Sequence, residues 1–308
     1  GQEYNIAGLF SRSPLSYYTL NIFELLLSVL LLIEIIKLTV GTSAWTYRAG
    51  IFVLLVPATT IAFFKLLYVD RGVFVFAACT IYAYIKFEKT ERPLYWLLAL
   101  ASANIAIYYK ESAFSIILAF SASHLILSWK TANRTQKMLD WLLIVSALIY
   151  LAIYVIKIAP LSQIALNPNS DPLIVRIKNL FNFAFFSDPL VVLGFIPLLI
   201  VRAWGVLASG TKANPVLDSM LFAAVGYAAV FFVLNIYSPY YMLPAYMLGI
   251  APFLYYVLER PIGSLPLGWK LILAAIAIVV IGNSVPLALH YLTYNKYVPS
   301  NFHRTIGF

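Results

Sequence analysis

An all-α fold, a polytopic transmembrane helix bundle of about ten spans, is what the chain predicts, and three observations predict it. Apolar residues make up 62% of the sequence and charged residues 11%, against roughly 45–50% and about 25% in a soluble domain. Mean hydropathy is +0.88. The apolar residues gather into runs near the roughly 20-residue length that crosses a bilayer as a helix. These runs are continuous rather than alternating, and lipid offers the backbone no partner, so helices are expected and a barrel is not. The 308 residues read as a single membrane domain, 1–308.

Taken in order, residues 1–18 are polar and mixed and read as an external loop remnant. Six apolar runs follow at 19–40, 51–69, 72–87, 93–109, 112–129 and 141–159. The one long connection, 160–188, contains IVRIKNLFNFAFF, where Ile174, Ile177, Leu180 and Phe181 set against Arg176 and Lys178 predict an external interfacial helix over 173–186. Four further runs lie at 189–203, 217–237, 240–258 and 269–292, before an external tail at 293–308. Pro57, Pro197, Pro244, Pro252 and Pro286 fall inside these runs and predict kinks, which membrane helices tolerate. Glu34 and Lys37 have the i,i+3 spacing of a structural pair.

Basic residues fix the expected orientation. Lys37, Lys86, Lys89, Arg134, Arg202, Lys212 and Arg260 fall with others on one side of the bundle, which the positive-inside rule makes cytoplasmic, with both ends of the chain external. An external start without a secretory signal leads one to expect a preceding spanning helix. The net charge of +9 is accounted for by these loops and anionic membrane lipids, so nucleic acid is not an expected partner. The single Cys79 excludes an intrachain disulfide and reads as a small packing residue. His124, His290 and His303 are too scattered for a ligand set, so no metal is expected. No glycine-rich phosphate loop appears, and no cofactor is expected.

The same orientation gathers Glu3, Asp70, Arg71, Lys110, Glu111 and the tyrosines Tyr237, Tyr240 and Tyr241 on the external face. Cations there can hold a lipid-borne phosphate, and a carboxylate can take a proton from a polar acceptor. Each residue also has a plain structural reading. Lys110 and Glu111 can pair beside a tight helix connection. Asp70 and Arg71 can cap and snorkel, the tyrosines can form an interfacial belt, and Glu3 can be a solvated residue. Glu24, about one turn inside its run, asks for a partner, because a charge at that depth is costly in lipid.

Three stretches resemble the GT-C superfamily of membrane glycosyltransferases, in the branch of protein O-mannosyltransferases and aminoarabinose or hexose transferases. They are YYKESAF at 108–114, SPYYMLPAYML at 238–248 and GTSAWTYRAGIFVLL at 41–55, in the family's order. The resemblance implies transfer of a sugar from a polyprenyl-phosphate carrier to a lipid, glycan or protein acceptor, at the external or lumenal face of a plasma (inner) or endoplasmic reticulum membrane. It implies Glu3, or an acid before it, as catalytic base. Lys110, Glu111, Asp70, Arg71, Tyr240 and Tyr241 would then bind the donor phosphate or the acceptor. Two other classes stay open: a transporter or flippase of lipid-linked intermediates, and a non-catalytic membrane subunit with protein partners.

Overall fold

The computed structural model describes residues 14–64, 70–158, 160, 172–183, 189–234, 236–259, 264–287 and 289–290. Every regular element among them is helical: α1 (Pro14–Thr39), α2 (Ala44–Leu55), α3 (Pro57–Phe64), α4 (Asp70–Thr90), α5 (Pro93–Tyr109), α6 (Ala113–Ser128), α7 (Arg134–Ile153), α8 (Leu173–Asn182), α9 (Ile196–Ala208), α10 (Pro215–Val233), α11 (Leu243–Phe253) and α12 (Leu267–Val279). Wider π-helical turns extend four of them, preceding α9 at Leu190–Phe195 and following α7, α11 and α12. The one after α11, Leu254–Leu258, comes just past Pro252 inside that helix, where the missing N–H already interrupts the ladder.

Among the described residues, six helices are long and apolar enough to cross a membrane, and a seventh span results if α2 and α3 are counted together. An all-α membrane bundle is therefore the architecture. The predicted count of about ten is not reached on length and composition. α5 and α6 are apolar but short, and α4 carries charges at both ends. The run expected at 51–69 is redrawn: its helix starts at Ala44 and bends by 58° between Leu55 and Pro57. Val56, extended at φ −77° and ψ 146°, is held out of the helical region by the proline ring after it.

Local signals set several helix starts. Proline opens α1, α3, α5 and α10, where its lost N–H would have had no helical partner. Asn133 caps α7 by accepting from the Gln136 amide at 2.8 Å, while Gln136 Oε1 accepts from the Asn133 amide at 3.0 Å. Glu34 and Lys37 pair at 2.7 Å as their spacing predicts.

α4 is the hub. Its faces pack on α5, α1 and α11, while α10 packs on α6 and α11. Fourteen of its residues are buried, from Asp70 to Phe87, so the charged start of α4 is drawn into the protein while Lys89 and Thr90 at its end are exposed. Cross-links at the far end of α4 join the connections between helices: Ser43 donates to Glu259 at 2.6 Å, Asn133 donates to Glu91 at 2.8 Å, and Lys89 donates to the Leu38 carbonyl at the end of α1.

α8 is turned inside out relative to a helix on a soluble protein. Leu173, Ile174, Ile177 and Phe181 are exposed, whereas Arg176 and Asn179 lie on the partly covered side. Tyr237 donates to the Arg176 carbonyl at 3.3 Å, and Phe183 packs on Phe232 and Tyr237. A docked helix with its apolar face outward suits a membrane boundary. The helix predicted over 173–186 thus forms as Leu173–Asn182, and 184–188 lie outside the described residues.

Candidate functional site

Asp70 is the first residue of α4, and Lys110 follows the last residue of α5. The two helices run antiparallel through a short connection, so the negative group at a helix start meets the positive group at a helix end. Each complements its own helix dipole as well as the other charge. Lys110 Nζ donates to Asp70 Oδ1, with the lysine side chain 9% exposed and the aspartate 2% exposed. The ammonium also lies over the Tyr241 ring at 4.3 Å and the Phe231 ring at 5.7 Å, a geometry that attracts a desolvated cation. Tyr241 is held there by stacking on Phe231 at 4.5 Å and by contact with Tyr240 at 4.2 Å. Both tyrosines belong to the 3₁₀ turn Pro239–Met242 that leads into α11.

Behind this pair, Arg71 has no exposed surface, and its Nε lies 2.8 Å from Glu24 Oε2 on α1. Glu24 has found the partner its depth requires. Gly72 follows, and a Cβ there would clash with the Tyr109 ring. Glycine lets that ring approach the start of α4. The Tyr109 hydroxyl is buried and has no hydrogen-bond partner among the described residues, a spare polar group beside the Lys110 connection.

Several expectations change. Lys110 pairs with Asp70, not with its neighbour Glu111, which is exposed. After α5 ends, the turn closed by Ala113 N–H on the Lys110 carbonyl at 3.0 Å sends the two side chains to different environments. Lys110 is therefore no solvated interfacial lysine. Asp70 and Arg71 are buried in ion pairs with Lys110 and Glu24, and neither caps in solvent nor snorkels. Tyr240 and Tyr241 sit beside the lysine as grouped. Glu3 lies outside the described residues.

Two buried polar clusters were not legible as sites. Between α4, α6 and α7, Tyr84 donates to Asp140 Oδ1 at 2.7 Å, and His124 Nδ1 lies 2.7 Å from the Tyr84 oxygen and 3.0 Å from Asp140 Oδ2. All three side chains are fully buried. With Tyr84 as donor to one carboxylate oxygen, the His124 Nδ1–H is placed to donate to the other. Glu88 Oε1 stands 4.0 Å from His124 Nε2. The available signal was a histidine and an aspartate within or beside apolar runs, since ionisable groups there need partners. Between α9, α10 and α11, Arg202 forks onto Asp218 at 2.9 and 2.8 Å, and Tyr256 donates to the same carboxylate at 2.8 Å. Among the described residues no three His, Cys, Asp or Glu groups are placed to hold a metal ion.

Comparisons of the chain with protein-family models, with curated proteins and with solved structures find no match in any of the three.

Proposed function

We propose that this is a membrane glycosyltransferase that moves a sugar from a polyprenyl-phosphate carrier to a lipid, glycan or protein acceptor at the end of the bundle that carries Lys110. One observation carries the reading: a nearly buried lysine, fixed in place between the Asp70 carboxylate and the Tyr241 ring, as a donor-phosphate contact at this end of the bundle would need it to be. In low dielectric such a cation acts more strongly on developing charge than it would in water. In the reaction the acceptor oxygen bonds to the anomeric carbon and the bond from that carbon to the phosphate oxygen breaks. The polyprenyl phosphate departs with the electron pair, and the acceptor proton passes to a carboxylate. Lys110 offsets charge on the leaving phosphate. Asp70 orients Lys110, Arg71 and Glu24 brace the start of α4, and Glu3 is the carboxylate assigned to the acceptor proton. Direct displacement inverts the anomeric centre.

The full span count of ten, which rests on the ten apolar runs, and the external or lumenal placement of this end, which rests on the asymmetry of basic residues, belong to the same proposal. The transporter reading has one observation in its favour, the fully buried Tyr84, His124 and Asp140 cluster, since ionisable groups inside membrane helices often mark a pathway. Detergent solution separates the two readings, because transport needs two compartments and transfer does not. Purified protein in detergent, incubated with lipid-linked sugars together with a membrane extract that supplies lipid, glycan and protein acceptors, is expected to release free polyprenyl phosphate, detected by mass spectrometry. Release that is absent in detergent, with flipping of the same lipids in vesicles, would replace the transferase reading with the transporter.

A further inference from the structure

At the opposite end of α10 from Phe231, roughly 20 Å away at 1.5 Å per residue, two cavities meet at one arginine. The first, about 700 Å³, is lined by Arg202, Lys212, Asn214, Tyr255 and Tyr256 among others. Among the described residues its wall holds two cations and no carboxylate. The second, about 380 Å³, is an apolar slot between α6, α9 and α10, walled by Ile126, Leu199, Val206, Leu207 and Phe222, with Arg202 and Asp218 at its edge. Both volumes fall within the range of ligand sites. Ile126, Leu207 and Phe222 are exposed, so the slot opens on the flank of the bundle, where lipid chains would lie.

We propose that these two adjoining cavities, which share Arg202 in their walls, bind one anionic glycerophospholipid, with its phosphate and an uncharged headgroup in the polar cavity and an acyl chain in the slot. The charge pattern selects this occupant. Arg202 is neutralised by its two bonds to Asp218, and that carboxylate also accepts from Tyr256 and from the Asn214 amide at 2.8 Å. Asp218 is thus fully engaged, and no acid is left to receive the ammonium of a zwitterionic headgroup. Lys212 is exposed and supplies the net positive charge. Arg202 is fixed by its salt bridge and by the Tyr256 ring at 4.2 Å, and its Nη2 also donates to the Lys212 carbonyl at 3.3 Å. The loop that carries Lys212 is thereby pinned at the mouth. A basic pocket between membrane helices is the form that anionic headgroup sites take. The site does not depend on sugar transfer at the other end.

The test uses the full chain in detergent, titrated with phosphatidylglycerol, phosphatidylcholine and free glycerol phosphate, with bound lipid read by native mass spectrometry. Phosphatidylglycerol is expected to bind at least several-fold more tightly than phosphatidylcholine. Lys212→Ala is expected to weaken it roughly fivefold, the effect of one basic residue near an anionic headgroup. Ala203→Trp, which fills the slot from an exposed position on α9, is expected to weaken both lipids while leaving thermal stability unchanged. Equal affinity for the two lipids, or no change in Lys212→Ala, overturns the proposal. Displacement of the lipid by glycerol phosphate at equal concentration overturns it in favour of a soluble anion site.

Discussion

Arg71 and Glu24 form an ion pair 2.8 Å long in which the arginine has no exposed surface. Removing one partner takes a counter-charge away from a group that cannot reach water. Glu24→Gln is therefore expected to lower stability by about 3–5 kcal/mol, the usual loss when a buried pair is broken from one side. The double variant Glu24→Gln with Arg71→Met is expected to recover most of it. Denaturant melts in detergent check both. A single variant as stable as the parent would show that the pair is open to solvent.

Gly72 lies against the Tyr109 ring, where no Cβ fits. Gly72→Ala is expected to destabilise by about 1–3 kcal/mol, as overpacking in a tight contact does. In a Tyr109→Ala background the same substitution is expected to be close to neutral, because the two residues share one space. Additive effects in this cycle would place the ring elsewhere.

His124 shares Asp140 with Tyr84 inside the bundle. Tyr84→Phe removes one donor to a buried carboxylate and is expected to cost about 1–3 kcal/mol. Asp140→Asn and Tyr84→Phe together are expected to lose less than the sum of the two, since they act on one network. Thermal melts of the three variants measure the coupling, and simple additivity would mean that the two groups do not share a bond.

Leu173, Ile174, Ile177 and Phe181 form an exposed apolar stripe on α8, with Lys178 and Asn182 also exposed and Arg176 and Asn179 partly covered. Tryptophan placed at Ile177 is expected to be quenched by brominated lipid more strongly than tryptophan at Asn182, on the other side of the helix. Equal quenching would mean that α8 does not rest its apolar face on the bilayer.

What could be read from sequence follows from how far apart the interacting residues are. Glu34 and Lys37 were legible because one helical turn separates them, and the bend at Pro57 because a proline inside an apolar run pushes the residue before it out of the helical region. Lys110 stood out as a charge between apolar runs, yet its neighbour Glu111 was the obvious partner and Asp70, 40 positions away, was the real one. Only the antiparallel packing of α4 and α5 brings those two together. Glu24 announced that it needed a partner, but its depth did not say which. His124 read as an isolated ring because Tyr84 and Asp140 reach it from two other helices. That Arg176 and Asn179 lie on the covered side of α8 was hidden for a different reason: periodicity gives the faces of a helix and says nothing of which face meets its neighbours.

The most direct test of the central claim measures whether the Lys110 site recognises a lipid phosphate. Undecaprenyl phosphate and the matching polyprenol, identical but for the phosphate, are titrated into the full chain in detergent. The comparison protein is the double variant Asp70→Asn with Lys110→Met, which removes the buried pair together and so leaves no stranded charge. The parent is expected to bind the phosphate at least about tenfold more tightly than the alcohol, in line with roughly 1.5–3 kcal/mol for a bond to a charged group. The double variant is expected to bind the two alike while melting near the parent's temperature. Equal binding of phosphate and alcohol by the parent, or undiminished preference for the phosphate in the folded double variant, would contradict a donor-phosphate role for Lys110.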